Sequence, residues 1–84
     1  MSSHFKVLAV DKVTAKIQKR LARTLVALRS HNGWTQEECA ANLDIATAYL
    51  SRVERALVNV TLKNLVKIAA GFKIDVSELL KPPD

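Results

Sequence analysis

Cys39, His4 and His31 are the side chains of this sequence best suited to covalent or metal chemistry, and their spacing suits neither. A lone thiol forms no internal disulfide and anchors no multi-cysteine metal site. The two histidines lie far apart, and neither stands at metal-ligand spacing from Cys39. Set among Glu38, Ala40 and Ala41, the cysteine reads as a small core residue. No Ser/His/Asp or Cys/His set and no phosphate loop is visible, so neither catalysis nor a cofactor is expected. The remaining candidates lie in one stretch, TQEECAANLDIATAYLSRVER, Thr35–Arg55. Its hydroxyl, amide and guanidinium groups suit non-covalent recognition.

The totals say what could carry such a stretch. The chain of 84 residues makes one domain, near the lower end of sizes that fold alone. Its hydrophobic fraction is 49% but only 5% is aromatic, so the core must be Leu, Val, Ile and Ala. Two glycines and two prolines leave little room for hairpins, which favours an all-α domain. Thirteen Lys and Arg against eight Asp and Glu give a net charge of +5. That balance suits nucleic acid, an acidic protein or an anionic membrane surface. No apolar stretch reaches transmembrane length and the N-terminus is a poor secretory signal, so the expected location is cytoplasmic with no membrane partner.

Five helices are expected. The segment FKVLAV is open to three readings: a frayed arm, a short strand, or the lead-in to the first helix. From Asp11 the pattern is clear, with Val13, Ile17, Leu21, Leu25 and Leu28 recurring at intervals of three and four. Lys12, Lys16, Lys19, Arg20 and Arg23 occupy the opposite face. Residues 1–12 are therefore set apart as an N-terminal arm, flexible or part of a dimer contact, ahead of a domain at 13–81. Asn32 or Gly33 suits the left-handed cap that ends the first helix. Thr35 and Glu38 match a capping box. Asp44 stands where a turn needs a left-handed residue. A third helix runs from Ala46 or Thr47 to Arg55, burying Leu50 and Val53. A fourth starts near Thr61, with Leu62, Leu65, Val66, Ile68 and Ala69 on its apolar side. Asp75 and Glu78 form a second box-like pair that starts a last short helix, VSELL.

Two short helices joined by so tight a turn are a helix-turn-helix. The major groove of B-DNA is about 12 Å wide and accepts one helix. That helix must project from the body, supported from behind by its partner. Ala40 is small where the two would cross, and Ile45, Leu50 and Val53 would anchor the second. Thr47, Ala48, Ser51 and Arg52 are left free on the other face. On these residues the sequence from Leu28 to Leu80 resembles the phage-repressor and Cro-like (XRE) helix-turn-helix family. The likeness rests on TQEECA, on the set Ile45, Tyr49, Leu50, Ser51, Glu54 and Arg55, and on TLKNLVKIA followed by VSELL. It is similar to small stand-alone regulators such as restriction-modification controller proteins. It departs from the family at Asp44 and Ala56, which replace glycines, at Ala46, which replaces a capping Ser, and at Val60, which replaces a proline.

The resemblance implies a compact five-helix domain and assigns residues to double-stranded DNA. Thr47 and Ala48 take the base-reading positions and Arg52 one a turn later, where it would read guanine or bind a phosphate. Gln36, Tyr49, Ser51, Arg55, Asn59 and Lys63 take phosphate-contact positions. For Tyr49 a ring packed over the turn is an equal alternative. Arg29 and Glu54 would form a structural salt bridge that fixes the recognition helix. Trp34 reads as a lid on the core. A homodimer on a palindromic operator follows, repressor-like in organisation, with Val58, Phe72, Ile74, Val76, Leu79 and Leu80 at the dimer interface. RNA polymerase is a further candidate partner, and so is a toxin. An antitoxin or coactivator-type interaction module is the alternative function on the same fold.

Overall fold

The computed structural model describes residues 3–83, with side chains from residue 9 onward. Five helices follow one another: α1 (Ser3–His31), α2 (Gln36–Leu43), α3 (Thr47–Glu54), α4 (Leu62–Phe72) and α5 (Val76–Leu79). Residues 3–10 thus take the last of the three readings open to them, as the lead-in to the first helix, and α1 runs through residue 12 without a break. His4 and Phe5 lie outside the described side chains.

Leu21, Leu25, Cys39, Ala40, Leu43, Leu50, Val53, Ile68, Ala69 and Leu79 form one core. The first four helices each give it more than one residue from a single face, and α5 adds Leu79. Two expected stripes are longer than the core that receives them. Val13 is 55% exposed and Ile17 37%, because α1, at 29 residues, outruns the body it packs against. A helix that long measures about 43 Å at 1.5 Å per residue, and the molecule is 48 × 28 × 19 Å. On α4, Leu62 is 74% and Val66 51% exposed, while Leu65, Ile68 and Ala69 turn inward. Leu79 is fully buried in its own chain's core and so has nothing to offer a second subunit. Val58, Phe72, Ile74, Val76 and Leu80 are half-buried against the same core.

The junctions follow from capping chemistry. Gly33 ends α1 with a φ of 68°. The Thr35 hydroxyl accepts from the Glu38 amide at 3.1 Å, and the Glu38 carboxylate accepts from the Thr35 amide at 2.9 Å. These two bonds satisfy donors that a helix start leaves unpaired. The Asp75 and Glu78 pair does not form a second box: Asp75 instead accepts from the amide and hydroxyl of Ser77. Trp34 stacks on Phe72 with ring centroids 5.4 Å apart, closing the core above the start of α2.

Candidate nucleic-acid interface

The turn between α2 and α3 places everything that follows. Asp44 adopts the left-handed conformation, φ 56° and ψ 47°, and the Ile45 amide donates to the Ala40 carbonyl at 3.1 Å. A β-carbon in that conformation costs about 1–2 kcal/mol, and the turn has compensation close by. Lys67 on α4 donates to the Asp44 carbonyl at 3.1 Å and lies 3.6 Å from its carboxylate. Ala56, after α3, is also left-handed, with a φ of 58°. Both left-handed residues stand where the resembled family uses glycine.

α3 packs its inner face through Leu50 and Val53, both buried. Thr47, Ala48, Ser51, Arg52 and Arg55 recur along the outer edge at helical intervals. Ala48, Arg52 and Arg55 are exposed, while Thr47 and Ser51 are half-buried. Among the described residues, Arg52 has no ion-pair partner. The start of α3 is bare, since Ala46 occupies the N-cap with no side-chain hydrogen bond.

One carboxylate fixes α3 to the body. Glu54 accepts from Arg29 Nε at 2.6 Å and Nη2 at 3.1 Å, and from Gln36 Nε2 at 3.0 Å. Arg29 Nη1 donates in turn to the Trp34 carbonyl at 3.1 Å. Glu54 is 6% exposed and Arg29 21%, so the pair is largely desolvated and held by paired, charge-assisted bonds. Hydrogen bonding to Glu54 raises the Arg29 pKa above its usual value. Gln36 is the first residue of α2, so three helices meet at this carboxylate.

The other residues that the resemblance assigns to DNA are Tyr49 on α3, Asn59 in the loop after it and Lys63 on α4. Tyr49 is half-buried, and its hydroxyl accepts from Asn64 Nδ2 at 3.1 Å. That bond leaves the phenolic proton available to an external acceptor. Asn59 is exposed, and its side-chain oxygen accepts from Gln18 Nε2 at 2.8 Å, while the same nitrogen donates to the Val58 carbonyl at 2.9 Å. The Asn59 amide nitrogen is thereby left for another acceptor. Lys63 is exposed in the first turn of α4. Sequence reasoning misses Gln18 and Asn64, for both are ordinary polar residues on amphipathic helices with no local signal. Cys39 is buried, and burial pushes its thiol pKa up, away from reactivity. Among the described residues, no group of His, Cys, Asp and Glu could hold a metal ion.

The profile of the helix-turn-helix family HTH_3 matches residues 25–79, most of the chain, across all five helices. This chain belongs to the XRE-type helix-turn-helix family. Members are DNA-binding transcription regulators. A hypothetical transcription factor of Neisseria meningitidis is 38% identical to this XRE-type chain over 63 residues. That match covers 75% of the chain and 59% of the Neisseria protein. The control protein C.MunI of a Mycoplasma species is 41% identical over 64 residues, covering 75% of the chain and 86% of the relative. Among solved structures, the restriction-modification controller protein C.AhdI of Aeromonas hydrophila superposes with a TM-score of 0.70 at 32% identity. It covers 74% of the present chain and 94% of its own. Among the described residues, no helix is long and apolar enough to cross a membrane.

Proposed function

We propose that this XRE-type protein is a sequence-specific regulator that binds a palindromic operator as a homodimer. One observation carries the reading: the outer edge of α3 is polar, exposed and unpaired at Arg52, while Arg29 and Gln36 hold its far end to the body through Glu54. A helix so presented suits the major groove, where side chains from its first turns meet base edges. Thr47 and Ala48 supply small contacts there, and Arg52 supplies paired donors for guanine O6 and N7. Tyr49, Ser51, Arg55, Asn59 and Lys63 supply donors to phosphates, and Gln36 adds the one amide hydrogen that Glu54 does not take.

Two copies would place their α3 helices in successive major grooves about 34 Å apart. Support for self-association comes from apolar surface the single chain leaves uncovered: Val10, Val13 and Ile17 on α1, Leu62 and Val66 on α4. Ile17 also borders a recess shared with Leu65 and Leu80. On this reading the dimer contact draws on these exposed residues and on Leu80 beside Ile17.

A binding selection against random duplex DNA tests the reading. A two-fold symmetric consensus, bound by a dimer in sedimentation, is the expected result. Enrichment of no sequence would refute the regulator reading, and a monomer that stays monomeric on the selected duplex would refute the dimer.

A further inference from the structure

A groove of about 600 Å³ separates the flank of α1 from the C-terminal end of α3. Ala22, Val26, Ala27 and Ala56 line it together with Lys19, Arg23 and Arg55. Glu54 also reaches the groove, but its carboxylate is already engaged by Arg29 and Gln36. Among the described residues, none of the three cations makes an ion pair. The charge continues around α1, where Lys19 and Arg23 line a second recess with Lys16, Arg20 and Pro83.

Like charges gathered without partners repel one another, so the arrangement destabilises the free protein and favours an extended polyanion. Its position says which polyanion. With its side chains a helix is about 10–12 Å across, which fits the width of the major groove, so what flanks α3 there is the sugar-phosphate backbone. Lys19 and Arg23 line the same groove as Glu54, Arg55 and Ala56, so they adjoin the C-terminal end of the helix proposed to enter the major groove. Arg55 belongs both to this rim and to the outer edge of α3. We propose that Lys19 and Arg23 of α1 bind the phosphate backbone of the duplex that α3 enters, extending the interface from the helix-turn-helix onto the first helix. This inference rests on the operator reading above.

The dependence of affinity on salt tests it, because each phosphate neutralised contributes about 0.9 to the slope of log K against log salt. The native protein and the variant Lys19→Gln/Arg23→Gln are titrated with a random-sequence duplex and with the selected one, and circular dichroism checks folding. Both side chains are exposed, so the fold is retained. The slope is expected to become shallower by about 1.8 on both duplexes, and by about 0.9 for Lys19→Gln alone. The affinity ratio between the duplexes stays unchanged. Lys12→Gln, an exposed cation on the same helix that borders neither recess, leaves the slope as it was. An unchanged slope in the double variant overturns the proposal. So does an equal loss in Lys12→Gln, which would mark a general charge effect, or an altered affinity ratio, which would mark contact with bases. Failure of the native protein to bind any duplex would instead refute the operator reading itself.

Discussion

Arg52 carries the sharpest claim at the scale of single residues. A guanidinium bonded to guanine loses its partner only when the base is changed, whereas one bonded to phosphate loses nothing. Arg52→Ala should weaken the selected duplex by about 1–3 kcal/mol and leave random duplex nearly unaffected. Competition titrations with the two duplexes check this, and equal losses would reassign the residue to the backbone. Glu38 gives a prediction in pH. Hydrogen bonding from Thr35 holds its carboxyl below the usual value of 4.5, so folding favours the charged form. That contribution is fully present above the ordinary carboxylate range and is lost as pH falls through the lowered folded value. Glu38→Gln should therefore show a smaller loss of stability between neutral pH and pH values below 4.5, read from urea midpoints. An identical fall in both proteins would remove the capping carboxylate from the account.

Between residues and the molecule stand the helices and their joints. Ala46 leaves α3 without a side-chain cap. Ala46→Ser should stabilise the protein by about 1 kcal/mol, measured by urea denaturation, since the hydroxyl can accept an orphaned amide. Gly71 is the opposite case. A β-carbon there would come within 2.2 Å of Leu43 Cδ2 and 3.0 Å of the Asn42 carbonyl, so α4 and α2 approach closely only because it is glycine. Gly71→Ala improves helix propensity yet overpacks this contact, and a net loss of about 1–2 kcal/mol is expected. A stabilised variant would show that the two helices can yield. Much of this layer is legible in the sequence: the Thr35 and Glu38 box, the Asp44 bend and the Arg29–Glu54 tie are local patterns or a family resemblance. The overreach at Val13, Ile17, Leu62 and Val66 has a physical cause. Periodicity reports that a face is apolar and says nothing about whether another element covers it. Gly71 is legible only as an oddity inside a helical run, because the close approach it permits joins segments distant in sequence.

For the whole molecule the question is what covers the exposed part of α1. Val10, Val13 and Ile17 continue the face that carries Leu21 and Leu25, beyond the point where the body ends. If a second copy covers them, Val13→Asp should raise the dissociation constant at least tenfold while hardly changing the monomer, whose core it does not enter. Sedimentation equilibrium measures the first effect and thermal unfolding at low concentration the second. Unchanged association would move the dimer contact to α4 and α5.

The meeting of α1, α2 and α3 at Glu54 has a consequence for kinetics. Its bonds to Arg29 and Gln36 fix the tilt of α3 while the protein is still alone in solution. If α3 enters DNA as proposed, docking requires no rearrangement of that helix, and its ordering entropy has been lost during folding. Association should proceed in a single phase whose rate rises in proportion to DNA concentration, with no plateau marking a slow isomerisation.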